Sequence, residues 1–197
     1  TIIYLRTMEA MTSPRPAVPV RDLLETCLVF VPAAIFTWGI HEFAHWLAGV
    51  SLGYEMWISL NQVGPVEGSY HSAAHQIAIS AAGPLVTWLQ GIVALVLIYR
   101  TGVLRWYPFL FLALWTRALA LAVSFLAHPN DEARISLLLG LPMWVVPLIS
   151  VLFLLVLTFA GSRRLGVGWK GNGLSYLMAS IVTAGIVLTD NYLLMTP

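Results

Sequence analysis

The stretch Val29-Phe30-Val31-Pro32-Ala33-Ala34-Ile35-Phe36-Thr37-Trp38-Gly39-Ile40-His41-Glu42-Phe43-Ala44-His45-Trp46-Leu47-Ala48-Gly49-Val50 is almost wholly apolar, and its ionisable residues sit together. A run of roughly 20 apolar residues crosses a bilayer as a helix. In a helix His41 and His45 stand one turn apart on one face, which is the spacing of two imidazole ligands on one metal ion. Glu42, between them, is then placed to act on water. An ionisable side chain at membrane depth costs about 2.5–3.5 kcal/mol on insertion scales, so three within five residues need a compensating partner. A bound dication supplies one.

The rest of the chain agrees with a membrane setting. Of its 197 residues 59% are hydrophobic and only 10% charged, with mean hydropathy +0.83. Soluble domains carry about 25% charged residues, so the composition indicates an all-α integral membrane protein. Five apolar segments are long enough to span: 23–50, 72–99, 106–127, 135–160 and 174–194. Residues 1–22 form a polar, proline-rich arm without the charged-then-apolar order of a signal peptide. Residue 1 is a threonine, and Met8 and Met11 are candidate initiators. Lys and Arg fall unevenly: Arg6, Arg15, Arg21, Arg100, Arg105, Arg163, Arg164 and Lys170 belong to one side of a five-span chain, against Arg134 alone on the other. The positive-inside rule then predicts a cytoplasmic amino terminus and an outer carboxyl terminus. The expected location is a bacterial cytoplasmic (inner) membrane. A net charge of +1 with no basic stripe argues against a nucleic-acid partner. Cys27 is the lone cysteine, so neither an intrachain disulfide nor a thiolate metal site is expected.

This topology brings the end of the first span level with the loops 51–70 and 128–134. The second of these holds His128-Pro129-Asn130-Asp131-Glu132, the densest acidic cluster of the chain. Catalytic zinc takes three protein ligands and leaves a fourth position for water. Asp131 is the first choice as third ligand, with His128 and Glu132 as rivals. Glu42 is the candidate general base, or else a partner orienting an imidazole. In the second span Gly83, Thr87 and Gly91 make a ridge of small residues at i, i+4 and i+8, suited to close helix packing. Pro84 there frees the Ser80 carbonyl. His71 and His75 share a face at the start of that span and are read as interfacial histidines, a second metal site or water gate being the alternative. Residues 55–61 alternate loosely, and with a turn at Gly64-Pro65 they suggest a short β-hairpin after the first helix. Arg117 interrupts the third span and is read as a functional group, a partner of a carboxylate, or a side chain reaching to the interface. Pro142 and Pro147 are expected to kink the fourth span.

His41-Glu42-Phe43-Ala44-His45 in one transmembrane helix, Ala82-Gly83-Pro84 in the next and a Pro-x-Asp (Pro129 to Asp131) after the third resemble the site-2 protease family of intramembrane zinc metalloproteases. The resemblance covers about residues 28–135. It implies a three-helix metalloprotease core over 23–135, with two additional helices in 136–197. It also implies Zn2+ on His41, His45 and Asp131, Glu42 as the catalytic base, and a hairpin at 54–70 along the substrate path. Thr87 stands where the family often has asparagine, which makes Thr87 and His128 candidates for the substrate path or a reserve ligand. Asn130 and Glu132 flank Asp131 where Leu and Gly are usual, and Val123 stands at the position of a substrate-contacting asparagine.

The expected function is hydrolysis of peptide bonds in membrane-spanning protein substrates within the lipid bilayer. The alternative is a non-proteolytic, metalloprotease-like subunit that binds or stabilises a larger membrane complex. A di-iron desaturase is disfavoured, since that family resemblance would need about eight histidines in several boxes and the chain has five.

Overall fold

The computed structural model describes residues 20–195, so most of the polar arm at 1–22 lies outside the described residues. Six α-helices and one small antiparallel hairpin make up the described fold. Five of the helices are long and apolar enough to cross a membrane. In hydrocarbon a helix is the structure that satisfies every backbone N–H and C=O internally, so uninterrupted apolar runs become helices. They are α1 (Val20–Ser51), α2 (Ala73–Thr101), α3 (Tyr107–Leu126), α5 (Val145–Leu165) and α6 (Trp169–Met195). Ser72 caps the start of α2 by accepting from the His75 amide, and Gly102 closes it in the left-handed conformation that glycine tolerates.

Two expectations need correction. The predicted fourth span at 135–160 is two elements, a short helix α4 (Asp131–Leu138) and the true span α5. Gly140 adopts φ 71°, and the Leu141 amide reaches back to the Ser136 carbonyl, which ends α4 in a Schellman-type turn. Pro142 therefore lies in a connection and Pro147 in the first turn of α5, where a missing amide is harmless; neither kinks a span. The hairpin is present, but its turn is elsewhere. Strands β1 (Met56–Ile58) and β2 (Val63–Pro65) pair Met56 with Pro65, so Gly64-Pro65 is strand, not turn. The reversal occurs at residues 59–62, where Ser59 closes the loop on Gln62 through backbone and hydroxyl together.

The helices pack in two apolar clusters. Phe30, Ala33, Ala34 and Trp38 of α1 meet Leu112 of α3 and Ala179 of α6. Ala94 and Ile98 of α2 meet Tyr107 and Leu110 of α3 and Val167 beyond α5. Glycines set the closest approaches: a Cβ on Gly91 would strike Leu154 of α5, and one on Gly161 would strike Leu110 of α3. The last two spans thus pack directly against the first three. The hairpin sits on the end of α1, with Met56 against Gly49.

Candidate metal centre

The site is built where α1, α2 and α4 meet. A helical rise of one turn between His41 and His45 places both rings on the same face of α1. Asp131, the first residue of α4, brings its carboxylate to them from the far side of the sequence. His41 Nε2, His45 Nε2 and Asp131 Oδ2 lie 3.1, 3.2 and 3.3 Å from one another. Tetrahedral bonds of about 2.0–2.1 Å to a zinc-like ion would set donor atoms roughly 3.3 Å apart, so the three atoms already outline one face of such a site. This His41–His45–Asp131 group is the one group among the described residues that could hold a metal ion.

The opposite ring nitrogens show why the near ones are free to bind. His45 Nδ1 is 2.6 Å from the Ile79 carbonyl, which can only accept, so that nitrogen carries the proton. Thr87 donates its hydroxyl to the Gly83 carbonyl and accordingly accepts from His41 Nδ1 at 3.0 Å. Both imidazoles are thus held in the tautomer whose Nε2 lone pair is available. Two lone pairs and a carboxylate oxygen converging within 3.3 Å could hold a metal ion between them.

Gly83 is the floor of this site. A Cβ there would overlap His45 Nε2 and come 2.5 and 2.7 Å from His41 Cε1 and Nε2. The small-residue ridge read for helix packing therefore has a divided use. Gly83 and Thr87 meet the imidazoles of α1, and Gly91 meets Leu154 of α5. Likewise, Pro84 suggested a freed carbonyl at Ser80, whereas the carbonyl that orients His45 belongs to Ile79. α2 runs on through Pro84 without a break.

Around the group lies a cavity of about 500 Å³. Glu42 lines it and is buried, as are His41 and His45, while the Asp131 side chain retains 19% exposure and so opens the group to the cavity. His128 and Val123 also line the cavity, though His128 stands outside the metal group. Glu132, the other rival ligand, faces away and accepts both Arg117 Nη1 contacts at 3.2 and 3.3 Å, which makes Arg117 the partner of a carboxylate. Trp57, Gln62 and Val63 of the hairpin and Val187 of α6 complete the wall. His71 and His75 gather instead around Tyr54, whose hydroxyl is 2.8 Å from His75 Nδ1 and accepts from the His71 amide.

Two parts of the site were not read from sequence. Ser150 of α5 donates to Glu132 and accepts from Trp88 of α2, bracing the carboxylate that holds Arg117. Asp190 of α6 is buried and receives the Ser59 hydroxyl at 3.0 Å and the Leu60 amide at 2.9 Å, tying the hairpin turn to the last span. The signal for Asp190 was available, since an acid inside an apolar span marks a function or a partner. No family model matches the chain, nor does any curated protein or solved structure.

Proposed function

We propose that the chain is an intramembrane zinc metalloprotease of the site-2 protease kind, hydrolysing peptide bonds of membrane-spanning proteins. The observation that carries this reading is the convergence of His41 Nε2, His45 Nε2 and Asp131 Oδ2 at tetrahedral-edge spacing, beside a cavity that Glu42 lines. Zinc fits the donor set of two imidazoles and one carboxylate, with room left for water. A bound zinc ion would act as a Lewis acid that acidifies water and polarises a carbonyl.

The chain's own residues account for the other steps. Glu42 takes a proton from water as the water oxygen bonds to the scissile carbonyl carbon. Glu42 then returns that proton to the amide nitrogen as the C–N bond breaks. The hairpin wall offers backbone groups to a substrate segment unwound from its helix, since a helical substrate hides its carbonyls in i→i−4 bonds. Burial of the histidines, and an opening at Asp131, suits a reaction that needs water inside an apolar surround.

The test uses purified, zinc-loaded protein and a transmembrane peptide in liposomes. Glu42→Gln should keep the metal and lose turnover by about 10²–10⁴-fold, the usual worth of a general base. His45→Ala should lose metal and turnover together. Equal turnover by wild type and Glu42→Gln removes Glu42 from the mechanism.

A second reading, a metalloprotease-like subunit of a larger membrane complex, draws on one observation. The Arg117 guanidinium lies 3.4 Å from His41 Nε2, where its charge opposes a metal's. Protein that purifies without metal, and takes up none on zinc addition, selects this reading.

A further inference from the structure

Arg117 reaches the metal cavity from α3, and its nitrogens are used unequally. Nη1 is fixed on the far side by Glu132, itself held by Ser150 and, through Ser150, by Trp88. That same nitrogen is 3.6 Å from Asp131 Oδ2. Nη2 has His41 Nε2 as its near neighbour at 3.4 Å, and Nε is buried with no hydrogen-bond partner. Once the Nε2 lone pair is committed to a metal, Nη2 loses that acceptor too. The Nη2 end of the guanidinium then carries unused N–H donors beside the ligand atoms. Arg134, the other cation lining the cavity, is 38% exposed and turned to Ser80 and the outer edge of Asp131. Arg117 is 6% exposed and always charged, so it is a fixed positive group in the cavity wall.

We propose that Arg117 is the oxyanion donor of the hydrolysis. As the water oxygen bonds to the carbonyl carbon and gives its proton to Glu42, the π pair of the C=O bond moves onto the carbonyl oxygen. The Nη2 N–H groups of Arg117 bind that oxyanion and give up no proton. When the pair returns to re-form C=O, the C–N bond breaks and the Glu42 proton passes to the departing nitrogen. Donors held in place before the reaction begins stabilise the developing charge without reorganising, and Glu132, Ser150 and Trp88 provide that hold.

The role rests on the protease reading, and the experiment separates the two. The probes are a transmembrane peptide whose scissile amide is replaced by a phosphinate, a tetrahedral anion, and the same peptide with its amide intact. Arg117→Gln/Glu132→Gln removes both charges of the pair and leaves no buried ion unmatched. In a Glu42→Gln background, which leaves the amide peptide uncut, the zinc-loaded double change measured by calorimetry should keep one metal per chain, bind the amide peptide as the Glu42→Gln parent does, and bind the phosphinate about 10²–10³-fold more weakly. Equal loss for both peptides, or none for the phosphinate, overturns the role. Should the double variant fail to fold, Arg117→Lys carries the test: it keeps the charge but loses the fork, and should weaken the phosphinate alone by roughly tenfold. Unchanged phosphinate binding there is likewise fatal to the role. A wild type that neither holds zinc nor cleaves sinks the protease reading. A zinc-loaded, cleaving wild type whose variants bind phosphinate undiminished sinks only Arg117.

Discussion

Gly83 carries more of the site than its side chain of one hydrogen suggests. It is the surface on which both imidazoles rest, and a methyl group there has nowhere to go but into His45 Nε2. The neighbours cannot yield cheaply, because His45 is pinned by the Ile79 carbonyl and His41 by Thr87. Gly83→Ala should therefore abolish stoichiometric zinc binding while α2 still forms, since alanine is a better helix former than glycine. Zinc content by atomic absorption, beside helicity by circular dichroism, checks this. Full zinc occupancy in the alanine variant contradicts the packing argument. Thr87→Val removes the acceptor for His41 Nδ1, along with the hydroxyl's own bond to the Gly83 carbonyl, but no metal ligand, so it should weaken zinc affinity by about 10–100-fold without abolishing it. Competition with a chromogenic chelator measures the difference.

At the scale of elements, the hairpin has few residues of its own to hold it. Two strands of three residues are marginal in isolation, and this pair is anchored from outside. Trp38 of α1 donates to Asn61, Trp46 donates to the Met56 carbonyl, and Asp190 of α6 grips Ser59 and Leu60. A buried carboxylate left with two hydrogen-bond donors is held by them and in turn holds them. Asp190→Ala should leave the spans intact and release the turn. The Leu60 amide should then exchange with deuterium far faster than in wild type, while amides within α2 keep their protection. Unchanged exchange at Leu60 would mean that Trp38 and Trp46 suffice. The same variant should lower turnover on a transmembrane peptide if the hairpin guides substrate.

Taken as a whole, the molecule has its metal group at one end of the bundle, the end that carries the hairpin, α4 and the start of α2. The positive-inside expectation from the eight-to-one distribution of Lys and Arg is that this end lies at the outer face. Labelling with a membrane-impermeant maleimide tests the assignment. Ser162 is a poor probe position because it is buried and bonded to the Val167 carbonyl and Asn172. Gly168, exposed in the connection between α5 and α6 and with open space around its Cα, is better. In a Cys27→Ser background, Gly168→Cys should label only after the membrane is permeabilised. Labelling of intact cells at Gly168 reverses the orientation and leaves the chemistry of the site untouched.

The sequence by itself determined the number of long apolar helices and the shared face of the two histidines, because both depend on local regularities. A long apolar run must become a helix in hydrocarbon, and an i, i+4 spacing within it fixes a shared face wherever the helix goes. Asp131 was reached by counting membrane crossings, which tells which loops share a level but not which side chains meet. The break at Gly140 was legible in principle, yet the apolar residues on either side hid it. What only the tertiary structure decided were contacts between residues far apart in the chain: Gly83 beneath the imidazoles, Ile79 and Thr87 behind them, Glu132 turned to Arg117, and Asp190 closed on the hairpin. Their physical reason is common to all. A glycine, a carbonyl or an acid reads the same in any helix, and its use is set by the neighbour that packing brings to it.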